Sequence, residues 1–228
     1  MMICEWKDLP ENMRTDEVRP YYDILCKHKY QLIIKRIVDI VISLTIIMLI
    51  WPIFVAIAIA IKIDSPGPVF YRQFRVGQYG KLFKIFKFRS MVNNADKNGS
   101  LVTVQGDMRI TKVGKFIRKY RLDETSQLFD VLRGTMTLVG TRPEVQRYVE
   151  QYNKTMLATL LLPPGVTSLA SITYRNENDL IDKKHPDDDY INKVLPLKMK
   201  CNLIELSNIG FVHDMGIMIR TVFNVVCK

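Results

Sequence analysis

An uncharged run of 22 residues, from Ile40 to Ile61, limits what this chain can fold into. As a helix rising about 1.5 Å per residue, the run is long enough to cross a bilayer, which needs roughly 20 apolar residues. Pro52 lies near its middle and removes a backbone hydrogen-bond donor there. The run therefore predicts a membrane helix that is interrupted at Pro52.

Basic side chains flank this run on both sides: Lys35, Arg36, Lys62 and Arg72. Lysine and arginine favour the cytoplasmic side of a membrane, so both flanks are expected on that side. A helix broken at Trp51-Pro52 has two arms of about 15–18 Å, each suited to one leaflet. We expect a re-entrant helix over residues 35–62. A kinked spanning helix is the alternative, since membrane helices tolerate proline.

Arg36 and Asp39 stand three residues apart just before the run, and Lys35 is four residues from the same aspartate. Either spacing brings the two side chains to one face of a helix. Because a carboxylate at a membrane boundary is costly unless it is paired, we expect Asp39 to form an ion pair with one of the two cations. The alternative is an exposed pair of little energetic value.

The net charge of +10 is concentrated in one part of the chain. Residues 62–121 contain 14 lysines and arginines against three acidic residues, whereas the rest contains 19 and 20. A basic block next to an apolar anchor predicts an anionic membrane surface, a phosphorylated substrate, or both as partners. No known nucleic-acid-binding motif is present, so we expect no nucleic acid.

Two short segments have the composition of strands, Val69–Tyr71 and Phe83–Phe88. Gly77 and Gly80 predict a tight loop between them, followed directly by Lys81. A glycine loop with a lysine can hold phosphate, but the spacing is not that of a Walker motif, so a simple hairpin with an exposed lysine is the alternative.

Two further segments have the pattern of amphipathic helices. Apolar residues recur at helical spacing from Ile110 to Tyr120, with basic residues mostly on the other faces. Residues 209–227 are apolar but are interrupted by three polar side chains. Both segments suit a helix that lies in a membrane interface. A helix packed on a soluble core is the alternative for each.

Asp123 and Glu124 begin a helical pattern that ends at Gly134. Asp123 occupies the position of a helix N-cap, which is a purely structural interpretation. Two adjacent carboxylates in a basic block can also bind Mg²⁺ and supply a nucleophile. Further along, Thr141-Arg142-Pro143-Glu144 predicts a helix start where backbone N–H groups and the guanidinium can bind phosphate. An arginine that packs at the helix start is the alternative.

Five stretches together resemble the bacterial sugar transferase family, the monotopic polyprenyl-phosphate phosphoglycosyl transferases. They are KRIVD (35–39), SPGPVFYRQFRVGQYGKLFKIFKFRSM (65–91), RLDETSQLF (121–129), LRGTMTLVGTRPE (132–144) and PPGVT (163–167). The resemblance starts near Lys35, so we expect no multi-span N-terminal region like that of larger members. It also departs from the family pattern at Trp51 and Thr141, where serine and proline are usual, and these departures bear on the identity of the sugar more than on the chemistry.

The resemblance implies an activity. Family members transfer a phosphosugar from a UDP-sugar to undecaprenyl phosphate and release UMP. Asp123 would be the nucleophile, and Glu124 a metal ligand or acid-base group beside Mg²⁺. Arg142, Arg89, Lys81 and Arg121 are then expected to bind substrate phosphate. The enzyme would act at the cytoplasmic face of the bacterial inner membrane, in contact with anionic lipids, and a homodimer is left open.

The resulting expectation is a mainly helical α+β fold. Residues 1–34 form a polar N-terminal lead-in, 35–62 the re-entrant helix, and 63–228 a small cytoplasmic catalytic domain with interfacial amphipathic helices. Two other classes remain as alternatives: a catalytically silent membrane scaffold of the same fold, and a protein that spans the membrane once and carries a basic nucleic-acid-binding domain.

Overall fold

The computed structural model describes residues 3–93, 95, 107–175 and 186–226. Within these residues the fold is mainly helical, as predicted, with two small two-stranded sheets. The helices are α1 (Arg19–Lys27), α2 (Lys29–Asp64), α3 (Lys112–Lys119), α4 (Leu128–Arg133), α5 (Gln146–Val149), α6 (Leu169–Thr173), α7 (Pro186–Asp189), α8 (Leu195–Ser207) and α9 (Phe211–Val226). The strands are β1 (Phe70–Val76), β2 (Leu82–Phe88), β3 (Thr137–Val139) and β4 (Gly165–Thr167).

Helix α2 contains the predicted membrane segment and is long and apolar enough to cross a bilayer. It continues through Pro52, so no non-helical residue separates its two arms. One stripe of the first arm is buried up to Ile47, and the second arm buries Phe54, Ile57 and Ile61. Between them Trp51 is 56% exposed. The middle of α2 therefore presents apolar side chains away from the protein, and the re-entrant path stays a prediction.

The predicted ion pair of Asp39 with Arg36 or Lys35 was wrong. Asp39 instead accepts hydrogen bonds from Thr137 Oγ1 at 2.6 Å and Leu138 N–H at 3.1 Å. The Arg36 guanidinium donates to the last carbonyls of α4, and Lys35 Nζ lies 2.6 Å from the Asp214 carboxylate. Among the described residues, each of these three charged side chains therefore has a partner outside α2. Asp39 binds β3, Arg36 binds α4, and Lys35 pairs with Asp214 of α9.

The predicted hairpin is present. Strands β1 and β2 pair antiparallel from Phe70–Phe88 to Val76–Leu82, so β1 continues five residues beyond the predicted segment. The turn contains Gly80 at φ +76°, a backbone conformation that favours glycine. The Phe54 ring of α2 packs 5.3 Å from Phe88 and 5.9 Å from Phe129 of α4. The hairpin is therefore fixed between α2 and α4, directly beside Asp123 and Glu124.

Strands β3 and β4 form a short parallel sheet, and β4 lies within the PPGVT stretch at residues 163–167. Gly140 and Gly165 cross in close contact: a Cβ atom on Gly165 would lie 2.2 Å from the Gly140 nitrogen. Gly165 N–H also donates to the Thr141 carbonyl at 2.8 Å. These contacts fix the backbone immediately before Arg142.

The N-terminal residues pack against the rest of the protein. Leu9, Met13, Val18 and Leu25 are buried in one cluster, which also includes Val76, Leu161 and Leu206. Residues 3–28 therefore share a hydrophobic core with the hairpin and α8. The domain boundaries given above stay a prediction.

Helices form at both predicted amphipathic segments. In α3, Ile117 is buried, whereas Phe116 is 58% exposed and Tyr120 is also exposed. In α9, Ile217 is buried, and five apolar side chains are exposed: Phe211, Val212, Ile219, Val222 and Phe223. An interfacial role gives these exposed apolar faces a favourable environment, and it stays a prediction.

Candidate active site

Asp123 and Glu124 lie in a short 3₁₀ segment, Leu122–Gln127, that leads into α4. Arg121 precedes them in a left-handed conformation at φ +53°, which is uncommon outside glycine and turns the chain sharply. Arg121, not Asp123, is the N-cap, so the structural interpretation of Asp123 as a helix cap was wrong. The turn buries the Asp123 side chain against the hairpin.

Lys87, at the end of β2, contacts both carboxylates. Its Nζ lies 3.0 Å from Asp123 Oδ2 and 3.4 Å from Glu124 Oε1. The sequence prediction did not select Lys87 as a site residue. The available signal was strand alternation, since Lys87 shares a face with the buried Ile85 two residues earlier. A lysine at that position needs anionic partners.

Arg142 approaches Glu124 from the other side. Its Nη1 donates to Glu124 Oε2 at 3.0 Å, and its Nη2 donates to Oε1, which is the two-donor fork typical of arginine and carboxylate. No helix includes Arg142 or Pro143, and α5 begins only at Gln146, so the predicted helix start at Pro143 was wrong. Arg142, Lys87, Asp123 and Glu124 form a charge-balanced group that we call the charged quartet.

Glu124 is held ionised by this group. Burial alone would raise the pKa of its carboxyl, but the charges of Arg142 and Lys87 outweigh burial and hold the pKa well below its usual range. A carboxylate in this state suits metal binding or the positioning of Arg142. It is a poor proton donor near neutral pH, because the protonated form is rare there.

A cavity of about 500 Å³ opens beside the charged quartet. Lys87 lines it, and five arginines line it as well: Arg72, Arg75, Arg89, Arg109 and Arg118. Uncharged polar side chains, among them Gln73, Ser90 and Asn93, complete the wall. A concave site with this excess of cations suits a ligand with more than one negative charge.

The other residues predicted to bind phosphate lie in different environments. Arg89 is buried in the cavity wall, and its guanidinium donates to the carbonyls of Ser65 and Pro66 just past the end of α2. Arg121 is exposed, close enough to help lower the pKa of Glu124, although burial and Arg142 act on that pKa more strongly. Lys81 is exposed at the far end of the hairpin, six residues and about 20 Å along β2 from Lys87. The structure thus separates Lys81 from the charged quartet.

Asp123 and Glu124 fit a magnesium site that is completed by substrate. Mg²⁺ usually binds through one or two carboxylates together with phosphate oxygens and water. Two adjacent carboxylates, both in contact with the cavity-lining Lys87, supply that donor set. In the described part of the chain, no group of three or more acidic, histidine or cysteine side chains could hold a metal.

Replacing Arg142 tests the fork on Glu124. Lysine keeps the charge but cannot donate to both carboxylate oxygens from one rigid plane. We expect Arg142→Lys to lose at least about tenfold in UMP release, or about 1.4 kcal/mol. Arg147→Lys, at an exposed arginine on α5, is the control and should retain the wild-type rate. A near-wild-type rate for Arg142→Lys would contradict this role.

The chain belongs to the bacterial sugar transferase family, whose model matches residues 30–228. This match covers the charged quartet, the hairpin and all of α2 except Lys29.

Several characterised proteins are similar to the chain. It is 35% identical over 192 residues to the UDP-N-acetylgalactosamine-undecaprenyl-phosphate N-acetylgalactosaminephosphotransferase of Aeromonas hydrophila, covering 83% of this chain and 43% of that protein. It is 41% identical over 163 residues to the UDP-glucose:undecaprenyl-phosphate glucose-1-phosphate transferase of Klebsiella pneumoniae, covering 70% and 35%. It is 38% identical over 173 residues to the undecaprenyl-phosphate galactose phosphotransferase of Salmonella typhimurium, covering 69% and 36%.

The chain spans less than half the length of each of these three relatives. Their names contain three different sugars and one lipid acceptor. The shared feature among them is therefore the transfer to undecaprenyl phosphate, and the sugar varies.

Proposed function

We propose that this protein transfers a phosphosugar from a UDP-sugar to undecaprenyl phosphate, releases UMP, and so initiates assembly of a bacterial surface glycan such as capsule, exopolysaccharide or O-antigen. The observation that carries the proposal is the charged quartet at the edge of the cationic cavity. It joins a buried carboxylate to a site suited to phosphates, in a chain whose relatives are named for this transfer.

Asp123 is the proposed nucleophile. Its carboxylate oxygen attacks the sugar-bearing phosphorus, and the bond from that phosphorus to the UMP oxygen breaks. An oxygen of the lipid phosphate then attacks the aspartyl phosphorus and releases the Asp123 carboxylate, which leaves a lipid-linked diphosphosugar. Lys87 holds Asp123 in place, and Arg142 holds Glu124. Covalent catalysis of this kind divides one difficult displacement into two easier ones.

Mg²⁺ is the proposed cofactor, with Asp123 and Glu124 as its protein ligands. When bound, it would offset the charge of the phosphates and of the leaving UMP. The low pKa of Glu124, which burial opposes and Arg142 and Lys87 produce, keeps this ligand ionised.

The proposed topology is re-entrant, with the catalytic part on the cytoplasmic face of the inner membrane. Both arms of α2 contact the same folded body: Arg36 contacts the end of α4, and Phe54 packs on Phe129 at its start. A bend at Pro52 would let both arms keep these contacts and would leave both flanks on one side of the membrane.

Cysteine labelling tests this topology. In a chain whose native cysteines are replaced by serine, Tyr30→Cys and Phe74→Cys place exposed thiols on either side of the apolar run. We expect a membrane-impermeant reagent added from the periplasmic side to label neither. The same reagent should label both after the cells are lysed. Labelling of one position alone in intact cells would instead support a spanning helix.

The activity is tested by UMP release in the presence of undecaprenyl phosphate. UDP-glucose, UDP-galactose and UDP-N-acetylgalactosamine form the initial panel, since these sugars occur in the names of the relatives. We expect acceptor-dependent UMP release with at least one of them. If a broader panel of UDP-sugars gives no release, the silent-scaffold alternative is favoured.

A further inference from the structure

Arg75 is a cavity-lining cation that the mechanism above does not use. It lies near the end of β1, where strand alternation places it on the same face as Tyr71 and Gln73. Its one hydrogen bond among the described residues runs from Nη2 to Gln73 Oε1, at 2.8 Å. A guanidinium has five N–H donors, so most of those of Arg75 are available to a ligand in the cavity.

The acidic group whose charge acts most strongly on Arg75 is Glu144, and it is already shared. The Glu144 carboxylate accepts a hydrogen bond from the Tyr190 hydroxyl, and Lys198 Nζ lies 3.8 Å from it. Lys198 also donates to the Tyr190 hydroxyl at 3.0 Å. This buried group lies at the base of β1, because Val76 N–H donates to the Glu144 carbonyl at 2.9 Å. Glu144 thus has two other side chains as partners.

The positive charge of Arg142 also acts on Arg75. Burial lowers the pKa of its guanidinium; the charge of Glu144 raises it and that of Arg142 lowers it further. A partly buried cation beside a second cation is costly until an anion enters between them. The local charge distribution therefore favours a bound anion near Arg75.

The position of Arg75 relative to the charged quartet suggests which anion. Lys87 pairs with Tyr71 across the hairpin, and Arg75 lies four residues further along β1, about 13 Å away. Arg142, which contacts Glu124, is close enough to lower the pKa of Arg75, although burial acts on that pKa more strongly. Arg75 and Lys87 thus line the same cavity at two positions along the hairpin, so Arg75 suits a phosphate group other than the one beside Lys87.

We propose, on the basis of the function proposed above, that Arg75 binds a phosphate group that Asp123 does not attack. A guanidinium fork is well matched to phosphate oxygens and loses little freedom when it binds them. Two substrates carry such a group: the nucleotide, whose phosphate leaves as UMP, and the polyprenyl phosphate acceptor. Binding measurements separate these two sources.

The experiment measures equilibrium binding of UMP, and separately of a short-chain polyprenyl phosphate, to the full-length protein in lipid nanodiscs. We expect Arg75→Gln to weaken the binding of UMP at least about tenfold and Arg75→Lys to recover part of the loss. Arg133→Gln is the matched control, since Arg133 is an exposed arginine near the hairpin that lies over Phe86 outside the cavity. It should bind both probes within about twofold of wild type.

Each outcome decides the proposal. Weaker binding of UMP assigns the phosphate to the nucleotide, and weaker binding of polyprenyl phosphate alone assigns it to the acceptor. Unchanged binding of both probes by folded Arg75→Gln overturns the proposal while leaving UMP release as the separate test of the function. If wild type binds UMP in an Arg75-dependent manner but releases none from UDP-sugars, the proposed function fails and this inference stands. Thermal unfolding of each variant verifies that it is folded.

Discussion

Asp123→Asn is expected to leave the protein folded and membrane-bound but to reduce UMP release at least about a thousandfold, or about 4 kcal/mol. Asparagine has nearly the size of aspartate and can still accept a hydrogen bond. It cannot form an acyl phosphate, because it lacks the ionised carboxylate that attacks phosphorus. The structure also shows that Asp123 is no helix cap, so the loss of a cap does not complicate the result.

Mass spectrometry of the intact protein provides the direct measurement. Wild type incubated with Mg²⁺ and UDP-sugar, without acceptor, should gain the mass of one sugar phosphate and lose it when polyprenyl phosphate is added. Asp123→Asn should gain none. Glu150→Gln, at an exposed acid just after α5, is the control and should behave as wild type. Wild-type turnover by Asp123→Asn would contradict the nucleophilic role.

Local patterns were sufficient to predict several elements of the fold. The glycines at 77 and 80 marked the hairpin turn, Gly134 ends α4 at φ +85°, and helical periodicity located α3 and α9. Each of these depends on residues that are close in sequence, where backbone preference and periodicity act directly. The same kind of signal identified the apolar run that became α2.

Such local patterns could not predict partners that are distant in sequence. Asp39 could be placed at a membrane boundary, but its bond to Thr137 spans 98 residues and appears only when β3 packs on α2. The spacing of Arg36 and Asp39 suggested a local pair, yet backbone groups of the folded body bind both side chains instead. Likewise, Pro143 suggested a helix start, whereas Gly165 N–H of β4 donates to the Thr141 carbonyl just before that segment and α5 begins only at Gln146.

The candidate site shows the same division. Asp123, Glu124 and Arg142 could be selected as a group from motif resemblance, and the structure brings them together. Lys87 and Arg75 were not selected, because a basic residue in a strand carries little information until its face is known. Which face of the hairpin meets the acidic segment depends on the packing of α2 and α4 against it.

Lys87→Gln is expected to reduce UMP release on the order of 100-fold, the scale of effect seen when one charge-stabilising group is removed from an active site. Lys87 is one of two cations that balance the carboxylates of the charged quartet, and it also lines the cavity. Without it, Asp123 loses the partner that fixes its carboxylate at 3.0 Å, and two adjacent anions face the incoming phosphates with only Arg142 to offset them.

Lys84→Gln is the matched control, since Lys84 is exposed three residues earlier on β2 and lies over the Phe74 ring. We expect its rate of UMP release to be close to that of wild type. We expect Lys87→Arg to recover part of the activity lost in Lys87→Gln, because arginine restores the positive charge with a different reach.

A purely structural role for Lys87 would lower the melting temperature and the rate together. A normal melting temperature with a reduced rate, and slower formation of the Asp123 adduct, would identify the contribution of Lys87 to the chemical step. An unchanged rate in Lys87→Gln would contradict that contribution and would leave Arg142 as the cation of the quartet on which activity depends.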